Sequence, residues 1–364
     1  MSIGVGVSGL GRIGRLLIRR AFGEGGVTVR AINTSHPADT IAHLLKYDSV
    51  HGRWDAEITA CDGNLVINGS TVRVFAERNP EAIDWQSVGA TVVLDATGKF
   101  TDRAGAAKHM AGGAETVIVT APGKDLDWTV VMGANDGQYD PLRHKLISAA
   151  SCTTNCVAPV LRMVDDLYGV RRAWVTTVHA YTNDQNHLDN PHKDLRRARA
   201  CTQSIVPTTT GIGKALAGVL PHLAPVVEGV SLRVPVPNVS LADMTLELRA
   251  DVTRDNAIAA LKAAAAGETF RPYVGWSDEP LVSSDYIGAD RTATIDGLSI
   301  AASGGQLKLL AWYDNEWGYA CRVIDVARMA IRAVEERAVT EATPVRERSA
   351  EPFSSGAEDA VALR

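Results

Sequence analysis

The sequence lacks the features that mark several classes of protein. Its five cysteines are an odd number and form no Cys-x-x-Cys pair, which argues against a disulfide framework and against a metal site. No apolar run approaches the roughly 18 residues that span a bilayer. The net charge of −5 comes without a basic block, so we expect neither nucleic acid nor a membrane as a partner. The first residues form a strand pattern without a basic export leader, and we expect a cytoplasmic protein.

What is present is typical of a soluble globular enzyme or binding protein. Hydrophobic residues make up 46% and charged residues 22% of the 364 residues. This length suggests two domains, and the composition is sufficient for two hydrophobic cores.

The first 150 residues alternate between strand and helix patterns. The run "IGVGVSG", the helical run "RIGRLLIRRAFG" and the run "VTVRAIN" together predict a βαβ unit. Asp62-Gly63 and Asn68-Gly69 predict hairpin turns. Three later apolar runs that end in small residues predict buried parallel strands. We therefore expect a Rossmann-type doubly wound α/β sheet over residues 1–150.

The pattern changes after residue 150. One helix, "TTNCVAPVLRMVDDLYG", is followed by long alternating strands and a shorter helical run, "GIGKALAGVLPHL". This mixture predicts an α+β catalytic domain over 151–317 with a mostly antiparallel sheet. We expect a closing helix at 318–337 to return to the first domain, and we expect residues 338–364 to form a disordered tail.

A G-x-G-x-x-G motif lies between the first strand and the first helix. Gly9, Gly11 and Gly14 would let the backbone turn sharply and approach a pyrophosphate at the helix N-terminus. Glycine-rich turns also serve helix–strand packing alone, but the βαβ context favours a dinucleotide site.

The acidic residue that usually binds the adenosine ribose is missing. Asn33 and Thr34 stand where the second strand ends, and a hydroxyl there tolerates a 2′-phosphate that a carboxylate would repel. NADP is therefore as compatible with this pocket as NAD. The alternative is that Asn33 or Thr34 only caps the next helix.

The stretch "LISAASCTTNCVAP" contains two cysteines four positions apart. Cys152 would open a helix, where free amide groups lower the pKa of a thiol, whereas Cys156 would lie one turn further in and be inert. His179, at the end of a predicted strand, is a candidate base. Packing remains the alternative for a single cysteine and a lone histidine.

Ten motifs in order extend this interpretation. Among them, "SGLGRIGR", "HLLKYDSVHG", "ASCTTNC", "TTVHAYTNDQ", "IVPTTTG" and "WYDNEWGY" closely resemble the phosphorylating glyceraldehyde-3-phosphate dehydrogenase family, from residue 3 to about residue 335. The resemblance implies reversible oxidation of glyceraldehyde 3-phosphate to 1,3-bisphosphoglycerate, with NAD or NADP and inorganic phosphate, in glycolysis or gluconeogenesis. It also implies a homotetramer in which the arginine-rich loop after residue 182 reaches a neighbouring subunit's cofactor.

The same resemblance assigns roles to individual residues. Cys152 would be the nucleophile and His179 its ion-pair partner and general base. The residues that match substrate and phosphate ligands are Ser151, Thr153, Thr182, Arg197, Thr210, Gly211 and Arg233. The residues that match cofactor ligands are Gly9, Gly11, Arg12, Ile13, Gly14, Asn33, Thr34, Arg78, Thr97, Gly98, Thr120, Asn315 and Tyr319.

The sequence departs from the common NAD-specific form at three positions. Thr34 replaces the usual Asp, Asn190 precedes Pro191 where Leu is frequent, and Ser8 replaces Asn before the glycine motif. The first two resemble members that use NADP or both cofactors, while Pro191 leaves room for NAD. Ser8 is expected to loosen a local hydrogen bond.

Two other functions remain as alternatives. An erythrose-4-phosphate dehydrogenase would share Cys152 and His179 but differ around the phosphate-binding residues. A catalytically silent scaffold or regulatory protein belongs to a different class, and the retention of the motif residues argues against it.

Overall fold

A computed structural model describes residues 4–24 and 26–342. The α-helices in this part of the chain are α1 (Arg12–Glu24), α2 (Ala38–Lys46), α3 (Arg103–Ala111), α4 (Cys152–Tyr168), α5 (Ile212–Leu216), α6 (Arg254–Ala266) and α7 (Trp317–Ala342). The strands of the first half are β1 (Gly4–Ser8), β2 (Thr28–Asn33), β3 (Tyr47–Asp48), β4 (Gly52–Arg53), β5 (Ile58–Cys61), β6 (Asn64–Ile67), β7 (Ser70–Phe75), β8 (Ala90–Asp95), β9 (Thr116–Val119), β10 (Trp128–Thr129) and β11 (Leu146–Ser148). The strands of the second half are β12 (Val170–Ala180), β13 (Val206–Thr209), β14 (Val227–Val234), β15 (Ser240–Leu248), β16 (Val274–Ser277), β17 (Ala293–Asp296), β18 (Ala301–Ser303) and β19 (Gln306–Tyr313).

The first sheet is doubly wound, as predicted. Its strand order is β10-β11-β9-β8-β1-β2-β7-β6-β5, and the pairs from β10 to β7 are parallel. The chain builds outward from β1 through β2 on one side and through β8 and β9 on the other. The switch point of the sheet therefore lies between β1 and β8, where this type of sheet binds ligands at the carboxyl ends of its strands.

Two tight hairpins complete the edge of this sheet. Asp62 and Gly63 have φ of 49° and 74°, and Asn68 and Gly69 have φ of 48° and 77°. Both turns join antiparallel partners, β5 to β6 and β6 to β7. Positive φ at both central residues is what a two-residue hairpin requires, so the sequence prediction is confirmed.

The second sheet is mixed but mostly antiparallel. Its order is β13-β14-β12-β15-β19-β17-β16, and β18 pairs with β19. Only β12 with β14 and β16 with β17 run parallel among the described strand pairs of this sheet. The predicted helix after β13 is shorter than expected, since α5 ends at Leu216 before Gly218 and Pro221, which are poor helix formers.

Helix α7 crosses back to the first sheet. Its buried residues Tyr319, Ala320 and Val323 share one hydrophobic core with Leu16 and Leu17 of α1. The helix continues to Ala342 rather than ending at 337, because "AVTEA" still contains good helix formers. The rest of the predicted tail, 343–364, lies outside the described residues.

Cys152 lies where the two halves meet. Its side chain packs against the core beneath the second sheet and also against the core shared by α1 and α7. Within the described residues, each helix is too short or too polar to cross a bilayer.

Candidate active site

A strained turn delivers the thiol. Ala150, just after β11, has φ of 56°, a left-handed conformation that costs a non-glycine residue about 1–3 kcal/mol. Two hydrogen bonds hold it there: its N–H donates to Ser148 Oγ at 3.1 Å, and Tyr319 Oη donates to its carbonyl at 3.1 Å. The turn at Ala150 places Cys152 where the two halves of the chain meet. Nothing in the sequence predicts this strained conformation.

The two cysteines of α4 differ as expected. Ser151 is the N-cap, and its Oγ accepts the N–H of Thr154 at 3.1 Å. Cys152 is the first helical residue and is half-buried, whereas Cys156 is 0% exposed. Only Cys152 is therefore available to a substrate.

His179 faces the thiol. Its Nε2 lies 3.4 Å from Cys152 Sγ, and its Nδ1 lies 2.7 Å from the carbonyl of Ala180. Arg233 Nη1 donates to the same carbonyl at 3.0 Å and approaches Nδ1 at 2.8 Å. The carbonyl contact requires a proton on Nδ1, whereas the contact with Arg233 Nη1, which only donates, requires Nδ1 to accept. We assign the proton to Nδ1, because Arg233 Nη1 already donates to the Ala180 carbonyl. Nε2 is then free to accept the proton of the thiol.

The electrostatics of this pair differ from the expectation of a lowered thiol pKa. Burial raises the pKa of the Cys152 thiol, and it outweighs the opposing effects of Arg233 and the Thr153 amide. Burial, aided by the charge of Arg233, also lowers the pKa of His179 to about 3. Both shifts favour the neutral thiol and imidazole over an ion pair. His179 Nε2 is therefore unprotonated, and it lies within reach of the thiol proton.

A second thiol–imidazole pair is buried and does not lie at a helix N-terminus. Cys201 Sγ lies 3.8 Å from His187 Nδ1. Cys201 is only 1% exposed, and burial raises the pKa of its thiol. It begins no helix, so it lacks the free amide groups that surround Cys152.

Two arginines converge on the reactive pair. The charges of Arg197 and Arg233 both lower the pKa of His179. Arg197 Nε donates to Thr208 Oγ1 at 3.1 Å, and its Nη1 pairs with Asp184. Among the described residues, the buried Nε of Arg233 has no hydrogen-bond partner. Such a cationic environment fits an anionic ligand beside the thiol.

The other residues predicted to bind phosphate lie at different distances from the thiol and its histidine. Thr153 Oγ1 lies 3.2 Å from Tyr313 Oη, and Thr182 follows the end of β12. Thr210 and Gly211 follow β13, whose Thr209 pairs with Val230. Arg233, the partner of His179, lies three positions further along β14, or roughly 10 Å at 3.3 Å per residue. The sheet therefore sets Thr210 and Gly211 apart from His179.

The glycine motif has the geometry that a dinucleotide needs. Gly9 has φ of 91°, and a Cβ there would lie 2.6 Å from the amide of Thr97. A Cβ on Gly14 would lie 1.9 Å from the Gly9 carbonyl, whereas one on Gly11 would meet nothing within 4 Å. Gly9 and Gly14 thus permit the turn and the helix packing, and Gly11 keeps the space open that a pyrophosphate would occupy.

A cavity of about 670 Å³ opens above this motif. Its lining includes the predicted residues Gly9, Gly11, Asn33, Thr34, Arg78 and Thr97. Arg12 and Ile13 form the first turn of α1, and the Arg12 guanidinium is bound to Asp48 and Glu316. The groups that they leave free at the start of the helix are therefore backbone amides.

The end of β2 is held by hydrogen bonds rather than by a helix cap. Asn33 Nδ2 donates to Ser8 Oγ at 3.2 Å and to the Glu77 carbonyl at 3.0 Å. Thr34 Oγ1 accepts the N–H of His36 at 3.2 Å, while Pro37 is the N-cap of α2. Neither Asn33 nor Thr34 caps α2, so that alternative is wrong. Ser8 still supplies a hydrogen bond despite replacing asparagine.

The ends of β8 and β9 in the first sheet form the other wall of the site. Thr97 donates its N–H and Oγ1 to Asp95 Oδ1 at 2.8 and 2.6 Å, next to Gly98, which has φ of 67°. Thr120 donates its N–H to the Asp95 carbonyl at 2.9 Å. These contacts fix the wall predicted to lie beside the nicotinamide ribose.

Asn315 approaches from the catalytic side. Its Oδ1 accepts from Ser240 Oγ at 2.8 Å, and the same Oγ accepts the N–H of Ala180 at 3.1 Å. Val239, beside Ser240, has φ of 67°, which is unusual for a β-branched residue. Sequence reasoning missed Ser240 and Val239, because nothing local predicts that they connect Asn315 to the histidine strand.

Comparisons with known proteins cover both halves. Residues 3–103 match the family described as glyceraldehyde 3-phosphate dehydrogenase, NAD binding domain, and residues 151–315 match its C-terminal domain. Glyceraldehyde-3-phosphate dehydrogenase 2 of Bacillus subtilis is 50% identical over 329 residues, which are 90% of this chain and 96% of the relative. The Geobacillus stearothermophilus enzyme is 51% identical over 328 residues, covering 90% and 98%. The Streptomyces coelicolor enzyme is 46% identical over 328 residues with the same coverage.

Proposed function

The chain belongs to the glyceraldehyde-3-phosphate dehydrogenase family, and from this premise we propose that it oxidises glyceraldehyde 3-phosphate to 1,3-bisphosphoglycerate reversibly. One observation carries the proposal: Cys152 Sγ lies 3.4 Å from His179 Nε2, and the charges of Arg197 and Arg233 act on the same imidazole. Residues 1–150 with α7 bind NAD, and residues 151–317 bind substrate. The proposed setting is cytoplasmic glycolysis or gluconeogenesis.

The chemistry follows from the residue types. Cys152 Sγ attacks the aldehyde carbon as His179 Nε2 removes the thiol proton, and a thiohemiacetal forms. NAD, held by the backbone of α1 and by Asn315, supplies the hydride acceptor when bound. When bound NAD accepts the hydride, His179 Nε2 would take the hydroxyl proton of the thiohemiacetal, and a thioester would remain on Cys152. An oxygen of inorganic phosphate then attacks the thioester carbon, so that the acyl phosphate forms and the Cys152 thiolate leaves.

Two anions need separate positions around the thiol. We assign the substrate's own phosphate to Arg233 and Thr182. We assign inorganic phosphate to Ser151, Thr153, Arg197, Thr210 and Gly211. The support for the two arginines is electrostatic, since the charges of both act on His179. Thr210 and Gly211 lie further along the sheet and would need to move toward Cys152 when phosphate binds.

Steady-state assays test this function directly. The purified protein is assayed with glyceraldehyde 3-phosphate and NAD, with and without inorganic phosphate, and in parallel with erythrose 4-phosphate. We expect phosphate-dependent reduction of NAD and a higher kcat/KM for glyceraldehyde 3-phosphate. A preference for erythrose 4-phosphate would support the related dehydrogenase. Absence of turnover with either aldehyde would support a silent scaffold.

The cofactor site is proposed to accept NADP as well as NAD. Thr34 places no carboxylate at the end of β2, and the cationic residues Arg78 and Lys99 line the same cavity. Glu77 also lines the cavity and contributes one negative charge. Its backbone N–H and carbonyl bond to the Asn33 side chain. A 2′-phosphate would therefore meet more positive than negative charge.

Thr34→Asp should shift the preference toward NAD. A like charge facing the 2′-phosphate costs several kcal/mol at close range, so we expect the ratio of kcat/KM for NADP to that for NAD to fall by roughly 10- to 100-fold. Thr34→Asn is the matched uncharged control and should leave the ratio within a few-fold of wild type. A wild-type enzyme that rejects NADP, together with an unchanged ratio in Thr34→Asp, would contradict dual use.

A homotetramer is proposed from the uncovered face of the second sheet. Trp174 is 53% exposed and Val230 is 42% exposed, and the strand register places half-buried Leu241, Leu310 and Trp312 on the same face. The loop before β13 adds Leu188, Leu195 and Ile205, which are 77%, 82% and 66% exposed. The same face also carries the ion pair between Lys308 and Asp243, and a surface of apolar side chains with a few charged ones is typical of a protein interface.

Charges on this face should disrupt assembly. In the double variant Trp174→Asp and Leu310→Asp, two carboxylates would be desolvated at the contact, which costs several kcal/mol. Light scattering should give the wild type a mass four times the 38.8 kDa of one chain and the variant a smaller mass. Leu142→Asp alters a side chain that is 73% exposed outside this face and should change nothing. A monomeric wild type or a variant of unchanged mass would refute the interface.

A further inference from the structure

A cluster of charged groups connects the start of α1 to the segment before α7 and has no role in the chemistry above. At its centre is Arg12, the first residue of α1. Its Nη1 donates to Asp48 Oδ2 at 2.7 Å, while its Nε and Nη2 donate to the two oxygens of Glu316 at 2.6 and 2.5 Å. One guanidinium therefore joins the pyrophosphate end of the site to the segment that precedes α7.

His51 extends the cluster toward the second domain. Its Nε2 lies 3.1 Å from Asp314 Oδ2 and 3.4 Å from Asn238 Nδ2. Its Nδ1 faces Asp48 at 3.6 Å and Glu316 at 3.9 Å. The ring is thus enclosed by three carboxylates, beside the guanidinium of Arg12 at 3.5 Å.

The carboxylates also fix the backbone on both sides. Asp48 Oδ1 accepts the N–H groups of Val50 and His51, each at 2.9 Å. Asp314 Oδ1 accepts the N–H groups of Glu316 at 3.0 Å and Trp317 at 2.8 Å. The loop from 314 to 316 is consequently held from within and from α1.

Arg12 and Asp48 stabilise each other's charged forms. Burial works to lower the pKa of Arg12, but hydrogen bonds and charges from Glu316 and Asp48 outweigh it and raise the pKa. Burial works to raise the pKa of Asp48, but the hydrogen bonds from Arg12 and from the His51 and Val50 amides, together with the charge of Arg12, outweigh it, and the pKa lies below its usual range. Loss of one partner from such a partly buried pair leaves the other charge uncompensated.

Asn315 lies between two residues of the cluster in the sequence. Both of its chain neighbours, Asp314 and Glu316, belong to the cluster, and its side chain is oriented by Ser240. The proposed function places the cofactor's carboxamide at Asn315 and its pyrophosphate at the start of α1. The cluster therefore bridges the two protein segments that hold opposite ends of one molecule.

We propose that Arg12, Asp48, His51, Asp314 and Glu316 position Asn315 relative to α1, so that binding of the pyrophosphate and binding of the nicotinamide reinforce each other. The inference rests on the proposed use of a nicotinamide dinucleotide. These residues are positioning residues, since they act through Asn315 and the helix backbone. They also give a role to "HLLKYDSVHG" and "WYDNEWGY".

The test compares two ligands that share one end. Titration calorimetry measures Kd for NAD and for ADP-ribose, which carries the adenosine and pyrophosphate but no nicotinamide. In Glu316→Gln, which keeps the side-chain shape but removes the charge, we expect NAD binding to weaken by about 10-fold and ADP-ribose binding by no more than about 2-fold, within the usual range of coupling energies. Asp48→Asn should give the same selective loss of NAD binding. It serves as the test if the Glu316→Gln protein does not fold.

A matched control removes a carboxylate on α7, outside the cluster. Asp325 pairs with Arg322 at 2.9 Å and Arg328 at 3.0 Å, and Asp325→Asn should change neither Kd. Equal weakening of both ligands, or no weakening of either, in the folded cluster variants would overturn the inference. A folded wild type that binds ADP-ribose but not NAD would instead defeat the proposed cofactor.

Discussion

Cys152→Ser is expected to lower kcat by roughly 10⁴-fold or more, because a serine hydroxyl is a far weaker nucleophile than a thiol and forms an ester instead of a reactive thioester. Cys152 is half-buried at the start of α4 and within 3.4 Å of His179 Nε2. The variant should still bind NAD, since its backbone at the cofactor site is unchanged. Stopped-flow or steady-state reduction of NAD measures the effect.

Cys156→Ser is the matched control in the same helix. Cys156 is 0% exposed, so the substitution affects packing rather than chemistry and should leave most of the turnover. An equal loss in the two variants would mean that the nucleophile has been misassigned. A further comparison, Cys201→Ser, should also leave turnover largely intact if the Cys201–His187 pair has no catalytic part.

His179→Asn is expected to lower kcat/KM by about 10²- to 10⁴-fold near neutral pH, which is the usual contribution of a positioned general base. The pKa of His179 is lowered to about 3 by burial and Arg233, so the wild-type base is unprotonated throughout the neutral range. Without it the thiol must lose its proton to solvent, and burial raises the pKa of that thiol. The variant's rate should therefore rise about 10-fold per pH unit, while the wild-type profile stays flatter.

The same variant should change the pH dependence of stability. His179 binds its proton near pH 6.5 when unfolded and near pH 3 when folded, so the unfolded chain holds more protons between these values. Its contribution to stability is present above pH 6.5 and is lost as pH falls toward 3, at up to about 1.4 kcal/mol per pH unit. His179→Asn should lose less stability in this window. Identical acid profiles and unchanged kcat/KM would remove His179 from its assigned role.

The parts of the site that follow from short-range chemistry were predictable from sequence. The spacing of Gly9, Gly11 and Gly14, the hairpin turns at Asp62-Gly63 and Asn68-Gly69, and the start of α4 at Cys152 each depend on local backbone preferences. The structure confirms these elements, because positive φ and helix initiation are encoded within a few residues.

The remaining features depend on residues distant in sequence. Arg12 and Glu316 bond across 304 positions, and no periodicity in the sequence predicts such a contact. The strain at Ala150 exists only because Tyr319 and Ser148 hold it. The direction of the thiol pKa was wrongly expected, since the helix terminus is visible in sequence but the burial that outweighs it arises from tertiary packing.

The central claim is that a thioester forms on Cys152 and that phosphate releases it. The enzyme is mixed with glyceraldehyde 3-phosphate and NAD without phosphate, and NADH formation and the mass of the peptide containing Cys152 are followed together. We predict a burst of NADH stoichiometric with enzyme chains, a 3-phosphoglyceroyl adduct on Cys152, and resumption of turnover with loss of the adduct when phosphate is added. Full turnover without phosphate, or an unmodified Cys152 during the burst, would contradict this account.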